Sequence, residues 1–250
     1  MLYRLPARDI PADQLNRLNV WLRDFVPLDA AQANQKLINY WSKLTSPSLI
    51  KLAERLLPIH EASIVFDAAE DVDDELKKDY GDNPGRTWLM WRTPKGSCKN
   101  PKTKERDSHS FLLGPPIAVN DIERRINKFA SADQEILIEF FQCFQYLCES
   151  PPPYAGNFIS PAAWQLVRSK KRFSKWNGAN DWLDAITLYH ASSGDYVLLH
   201  PSGKIAWAQM ETQEIVPLRN TFAEFIDHYV AYKEYNWPFD SWGADHLGIS

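Results

Sequence analysis

The chain has 250 residues, 44 % of them apolar and 24 % charged, and a formal net charge of −4. That balance fits a packed globular protein and excludes the strongly basic character of a dedicated nucleic-acid binder. No apolar run of about 18 residues is present, so no membrane insertion is expected.

The charge is uneven. Residues 1–115 hold 17 basic and 16 acidic groups, whereas from Asp181 onward three basic residues face ten acidic ones. An acidic end can steer a basic partner toward it. Three cysteines, Cys98, Cys143 and Cys148, do not make a disulfide framework. The opening MLYRLPARDI has no apolar signal region, and a cytoplasmic location is expected.

Pro11 opens a helical pattern through Gln14, Leu15, Leu18, Trp21 and Leu22. A second pattern from about Ala31 aligns Leu37, Trp41 and Leu44, with Pro47 at its end. A third, capped by Ser48, carries Leu49, Leu52, Leu56 and Leu57 and closes at Pro58. Ile64–Phe66 reads as a short strand, Asp67–Glu75 as a negative loop or helix start, and Thr87–Thr93 as another strand. The polar, lysine-rich run Thr93–Ser110 reads as a solvated loop or hairpin end without stacking aromatics.

FLLGPP, residues 111–116, ends the first half. A boundary near residue 115 separates a helical and mixed region of unassigned role, 1–115, from an α+β domain, 116–250. Asn120 with Glu123, and Ser131 with Gln134, have the spacing of capping boxes. The second of these helices carries Ile136, Leu137, Phe140, Phe144, Leu147 and Cys148 on a broad apolar face and stops at Pro151–Pro153. Tyr154–Trp164 reads as a short strand, and a basic run, Arg168–Lys175, surrounds Phe173.

Ile186–His190, Asp195–His200 and Lys204–Met210 then form three short strands of a meander, joined by SSGD and HPSGK turns. Ile205, Trp207 and Gln209 share one face. Glu214–Leu218 adds a fourth strand that Pro217 confines to the edge. Thr221 and Glu224 form a capping box for a helix with the stripe Phe222, Phe225, Ile226, Tyr229 and Val230. That stripe is expected to close one face of the meander, and WPFDSWG, 237–243, to pack as a tail.

No arrangement of reactive residues stands out. His190, His200 and His228 lack recognisable zinc spacing. Ser192 and Ser193 lie outside any nucleophile elbow. Asp71, Asp73 and Asp74 form a solvated cluster rather than a tuned acid–base pair, and no phosphate-binding glycine loop occurs. No catalytic residue, metal or cofactor is therefore expected.

The segments AVNDIERRINKFA, DQEILIEFF, PPPYAGNFISPAAW, LYHASSGDYVLLHPSGKIAWAQM and TFAEFIDHYV resemble the SUKH superfamily of bacterial toxin-immunity proteins and cell-wall-synthesis regulators. The resemblance covers about residues 116–245. Gly194–Asp195 carries its turn between central strands, and Thr221, Phe222, Glu224 and Phe225 carry its final helix. It implies an α+β fold, here a helical and mixed N-terminal region followed by a curved, mainly antiparallel sheet packed against helices. It also implies a non-catalytic protein-binding module that neutralises a cognate toxin with a basic surface by occlusion. Trp182, Asp184, Asp195, Trp207, Glu211 and Glu214 are the expected contact residues. An uncharacterised hydrolase or nuclease, and a structural or regulatory scaffold, are the alternatives. The oligomeric state is left open.

Overall fold

The computed structural model describes residues 2–66, 87–95, 98–99, 106–107, 110–145, 147–149, 157–191, 194–218 and 221–232. The expected elements at 67–75, 151–153 and 237–243, and Ser192–Ser193, lie outside them. The strands are β1 Leu2–Arg4, β2 Glu61–Phe66, β3 Thr87–Arg92, β4 Cys98–Lys99, β5 Arg106–Asp107, β6 Ser110–Leu113, β7 Cys148–Glu149, β8 Asn157–Phe158, β9 Ile186–His190, β10 Tyr196–Leu199, β11 Ile205–Gln209 and β12 Glu214–Pro217. The helices are α1 Ala12–Arg17, α2 Val20–Arg23, α3 Ala30–Trp41, α4 Pro47–Leu56, α5 Val119–Ile126, α6 Ser131–Phe144 and α7 Phe222–Tyr232. The class is α+β.

Apart from the separate β4–β5 hairpin, the strands form one antiparallel ladder in the order β1-β2-β3-β6-β7-β8-β9-β10-β11-β12. A four-stranded part, β1 to β6, and a five-stranded part, β8 to β12, meet through the two-residue β7. β1, β6 and β7 carry no strand signal in the sequence; runs of two to four residues are too short to show a period.

Local competition shifts several helix ends. The first expected helix breaks at Leu18, which is extended, because the Asn19 side chain accepts from Trp21 N at 2.8 Å and starts α2 afresh. Asp29 and Gln32 cap α3 reciprocally. Pro47 does not end a helix. It occupies the first position of α4, where its missing N–H costs nothing, and Ser46 rather than Ser48 is the capping position. Ser46 makes no side-chain cap; the backbone N–H groups of Thr45 and Ser46 instead donate to Glu139 of α6. α5 starts two residues and α6 one residue earlier than expected, after Ala118 and Ala130, so neither Asn120 nor Ser131 is at the capping position. Gln134 reaches back to Phe129 O at 2.8 Å. α6 ends at Phe144, and Cys148 falls in β7 rather than on the helix.

The main core runs from Leu5 to Tyr229 and contains the buried side chains of the helices on one face of the sheet. Val197, Leu199, Ile205 and Trp207 point into it. Their neighbours Tyr196, Leu198, Ala206 and Ala208 point the other way, into a second core with Phe173, Trp176 and Trp182. Segment 159–185, a chain of 3₁₀ turns, supplies that second cover. A β-bulge between the β9 and β10 registers lets Leu188 and Tyr189 both enter the main core.

The Thr221–Glu224 capping box forms as read: Glu224 N donates to Thr221 Oγ1 at 3.3 Å, and Thr221 N donates to Glu224 Oε2 at 2.7 Å. An 11-residue helix is marginal in isolation. Burial of Phe222, Phe225, Ile226 and Tyr229, about 1.5–3 kcal/mol for each side chain, holds α7 on the sheet, where Tyr229 and Phe225 meet Phe158 and Tyr189.

The edge strand β12 is closed from outside. Asn177 N donates to Gln213 O and Ile215 N donates to Asn177 O, both at 2.9 Å, while Pro217 has no N–H to offer. Gly178, at φ +77°, makes this approach; a Cβ there would stand 2.8 Å from Ile215 O.

Gly203, in the β10–β11 turn, has φ +84°, and a Cβ would lie 2.3 Å from Asp133 Oδ2. Gly203→Ala is therefore expected to destabilise the protein by about 1–3 kcal/mol in chemical denaturation. Adding Asp133→Ala should recover the steric part and leave the backbone part; strictly additive effects would refute the contact.

Candidate functional site

The expected contact residues divide by burial. Trp207 is 0 % exposed, Asp195 3 % and Trp182 4 %. Trp207 lies in the main core, and Trp182 lies in the second core with its ring 5.9 Å from that of His200. Asp195 accepts from Trp207 Nε1 at 3.1 Å and from Met210 N at 2.8 Å. Its carboxylate ties the β9–β10 turn to β11 and to the residue beyond it. These three residues are corrected from contact surface to interior: the meander turns them inward, and a partner cannot reach them without opening the sheet.

Asp184, Glu211 and Glu214 remain at the surface, with Glu214 half-buried. Asp184 is paired with Arg168 at 3.0 Å, which cancels its charge locally. Glu214 Oε1 accepts from Asn177 Nδ2 at 3.2 Å, beside the joint where residues 177–178 close the β12 edge. Asp181 is exposed three residues past Gly178, and Glu211 is exposed in the turn before β12. Glu211 and Glu214 thus lie at the start of a closed sheet edge, and Asp181 stands on the segment that closes it. Met210, 40 % exposed, adds an apolar side chain beside them.

The signal for the second cover was in the strands themselves. YVLL and IAWA are apolar at successive positions, as in strands covered on both faces. That pattern assigns Trp207 to packing and calls for a cover on the second face, which Trp182 helps to supply. The pairing of Arg168 with Asp184 has no local sequence signal, because two loops bring these residues together.

Other reactive groups have structural duties. The His190 ring stacks on Tyr196 at 4.5 Å with 11° between planes, and Arg172 donates to the Tyr196 hydroxyl at 2.9 Å. Lys170 Nζ lies 4.6 Å from the Tyr196 ring centre. His200 Nδ1 meets Ser202 Oγ at 2.8 Å. Burial, the largest influence, pushes the Cys143 thiol up to about 11; Lys43 pulls it down and Glu139 adds to the rise. The thiol is therefore protonated at neutral pH and a poor nucleophile. Burial also raises the Tyr40 phenol, whose hydroxyl donates to Gln142 O. Among the described residues no group of three or more His, Cys, Asp or Glu side chains is placed to hold a metal ion, and no helix is long and apolar enough to cross a membrane.

No protein-family model, curated protein or solved structure matches the chain.

Removing the Asp195 carboxylate breaks its hydrogen bonds from Trp207 Nε1 and Met210 N. Asp195→Ala is expected to cost roughly 2–4 kcal/mol of folding stability, read from urea melts; a variant as stable as wild type would return Asp195 to the surface reading.

Asp133 gives a pH test. Burial raises its carboxyl above the ordinary range, so the folded protein holds this proton more tightly than the unfolded chain. The stabilising contribution is complete below the unfolded pKa of about 4 and is lost as pH rises through the higher folded value. Asp133→Asn should therefore melt higher than wild type at pH 7, with the gain fading on acidification. A gain that grows toward low pH would have the wrong sign.

Proposed function

We propose that the protein is a non-catalytic, cytoplasmic binding module of the SUKH type that neutralises a cognate protein toxin by covering its basic surface. The observation that carries this reading is the exposure of Met210 and Glu211 just before the closed edge strand β12, which begins with Glu214, together with exposed Asp181 on the segment that closes that edge. A rigid sheet edge presents these charges with little ordering cost, since β12 is held by β11 on one side and Asn177 on the other. Exposed carboxylates around an apolar contact suit a partner whose own surface is basic, as nuclease-type toxins require for nucleic acid. Occlusion needs no reacting group of this chain. Asp195, His200 and Cys143, the groups nearest to chemistry in the sequence, support such a reading through their use in packing and hydrogen bonding.

The revised contact set is Asp181, Glu211, Glu214 and Met210, with Asp184 at its margin because Arg168 holds it. Occlusion acts by area and charge together. The exposed acids raise the encounter rate, and contact with Met210 slows departure.

The test pairs capture of the native partner with growth rescue on co-expression. The captured protein should be toxic alone and harmless with this chain present. Glu211→Lys combined with Glu214→Lys should weaken that complex about ten-fold or more and reduce its salt dependence, with an unchanged circular dichroism spectrum. Absence of rescue overturns neutralisation. Rescue with unchanged affinity and salt slope overturns this acidic surface.

A further inference from the structure

Away from the β12 edge, a cleft of about 400 Å³ opens between α5, the end of α6 and the chain leaving β8. Its size lies within the range of small-molecule sites. One wall comes from α5, whose apolar positions Ile122 and Ile126 are buried in the main core and whose polar face carries Asp121, Arg124 and Arg125. Gln145, which ends α6, and Ser160 provide buried polar surface opposite. Ile117 and Pro161 add apolar rim.

The two arginines are not equivalent. Arg124 is occupied: its guanidinium pairs with Asp121, and its Nε donates to Asn120 O at 3.3 Å. That pair is neutral. Among the described residues Arg125 forms no hydrogen bond or ion pair, and it is an exposed cation among the residues that line the cleft. Gln145 is 8 % exposed, and its backbone carbonyl is taken by Gly114 N at 2.8 Å. No described residue engages its side-chain amide. A side-chain amide lining a cleft can both donate to and accept from a ligand, and so orient it.

One uncompensated guanidinium beside a neutral ion pair selects a single negative charge. A guanidinium fork matches the two oxygens of a carboxylate. The apolar contributions of Ile117 and Pro161 fit a ligand with a hydrocarbon body rather than a bare inorganic ion. We infer that this cleft binds a small organic carboxylate, with Arg125 holding the carboxylate, Gln145 supplying an amide contact, and Ile117 and Pro161 packing on the apolar portion. The site lies apart from the acidic strip, and the inference does not rest on the toxin-binding reading.

Benzoate is a suitable probe, with benzamide as its neutral counterpart and inorganic phosphate as the anion without an apolar body. Titrations followed by heteronuclear NMR on the full chain should show saturable shifts at residues 117–125, 145 and 160–161 with benzoate, and none with benzamide. Arg125 is exposed and bonded to no described residue, so Arg125→Gln should fold normally. It should weaken benzoate binding about ten-fold or more, as loss of a charge-assisted contact requires. Arg125→Lys, which keeps the charge but not the fork, should fall between the two. Equal benzoate binding by wild type and Arg125→Gln overturns the assignment, as does saturation with shifts elsewhere. Phosphate binding as tightly as benzoate, with the same Arg125 dependence, would overturn the organic carboxylate class.

Discussion

A strand that is apolar on both faces has to be covered twice. β10 and β11 meet that condition: Val197, Leu199, Ile205 and Trp207 enter one core, and Tyr196, Leu198, Ala206 and Ala208 enter another. The helices, with α7 over β8 and β9, satisfy the first face. The second is satisfied by a segment with little regular structure, 159–185, whose large side chains Phe173, Trp176 and Trp182 are almost fully enclosed. Its backbone is tied to the sheet at separate points: Ile159 N donates to Leu188 O at 2.9 Å, Thr187 N donates to Gln165 O at 3.2 Å, and Ile215 N donates to Asn177 O at 2.9 Å. The placing of every surface group on this side, including Asp181 and Asp184, follows from how this cover lies.

The meander and its helix were legible because their signals are local. Glycines at positive φ mark the β9–β10 and β10–β11 turns, alternation assigns faces, and Thr221 with Glu224 forms a reciprocal cap over three residues. Signals that compete locally were read in the wrong order. Pro47 starts a helix rather than ending one, and the Asn19 side chain splits another. β6 and β7 show no signal because four-residue and two-residue strands carry no periodicity, and pairing with distant neighbours alone defines them; β8 falls within the strand read at 154–164 but is only two residues long.

The candidate contacts show the same division. Glu211 and Glu214 stay outside where turn and edge positions put them. Asp195 looks like a surface acid in a turn, yet its distance from Trp207 is set by β10–β11 pairing, with Tyr196 opposite Ala208 and Val197 opposite Trp207. Register thus converts an apparent recognition pair into an internal brace. Arg124 and Arg125, which in sequence are simply the polar side of an amphipathic helix, become distinguishable only when Asp121 is seen to occupy one of them. Their cleft needs α6 and the exit from β8 in place, and no window of sequence contains all its walls.

Glu139 has a consequence for the order of events during folding. Its carboxylate receives the backbone N–H groups of Thr45 and Ser46, a partner some 94 residues away in sequence. A helix start is ordinarily secured by its own neighbours within nanoseconds to microseconds. The start of α4 instead waits for a long loop to close. α4 can form transiently beforehand, but its start gains these hydrogen bonds only where α6 is in place. One carboxylate in the middle of the chain thus joins the beginning of an early helix to residues far along the sequence.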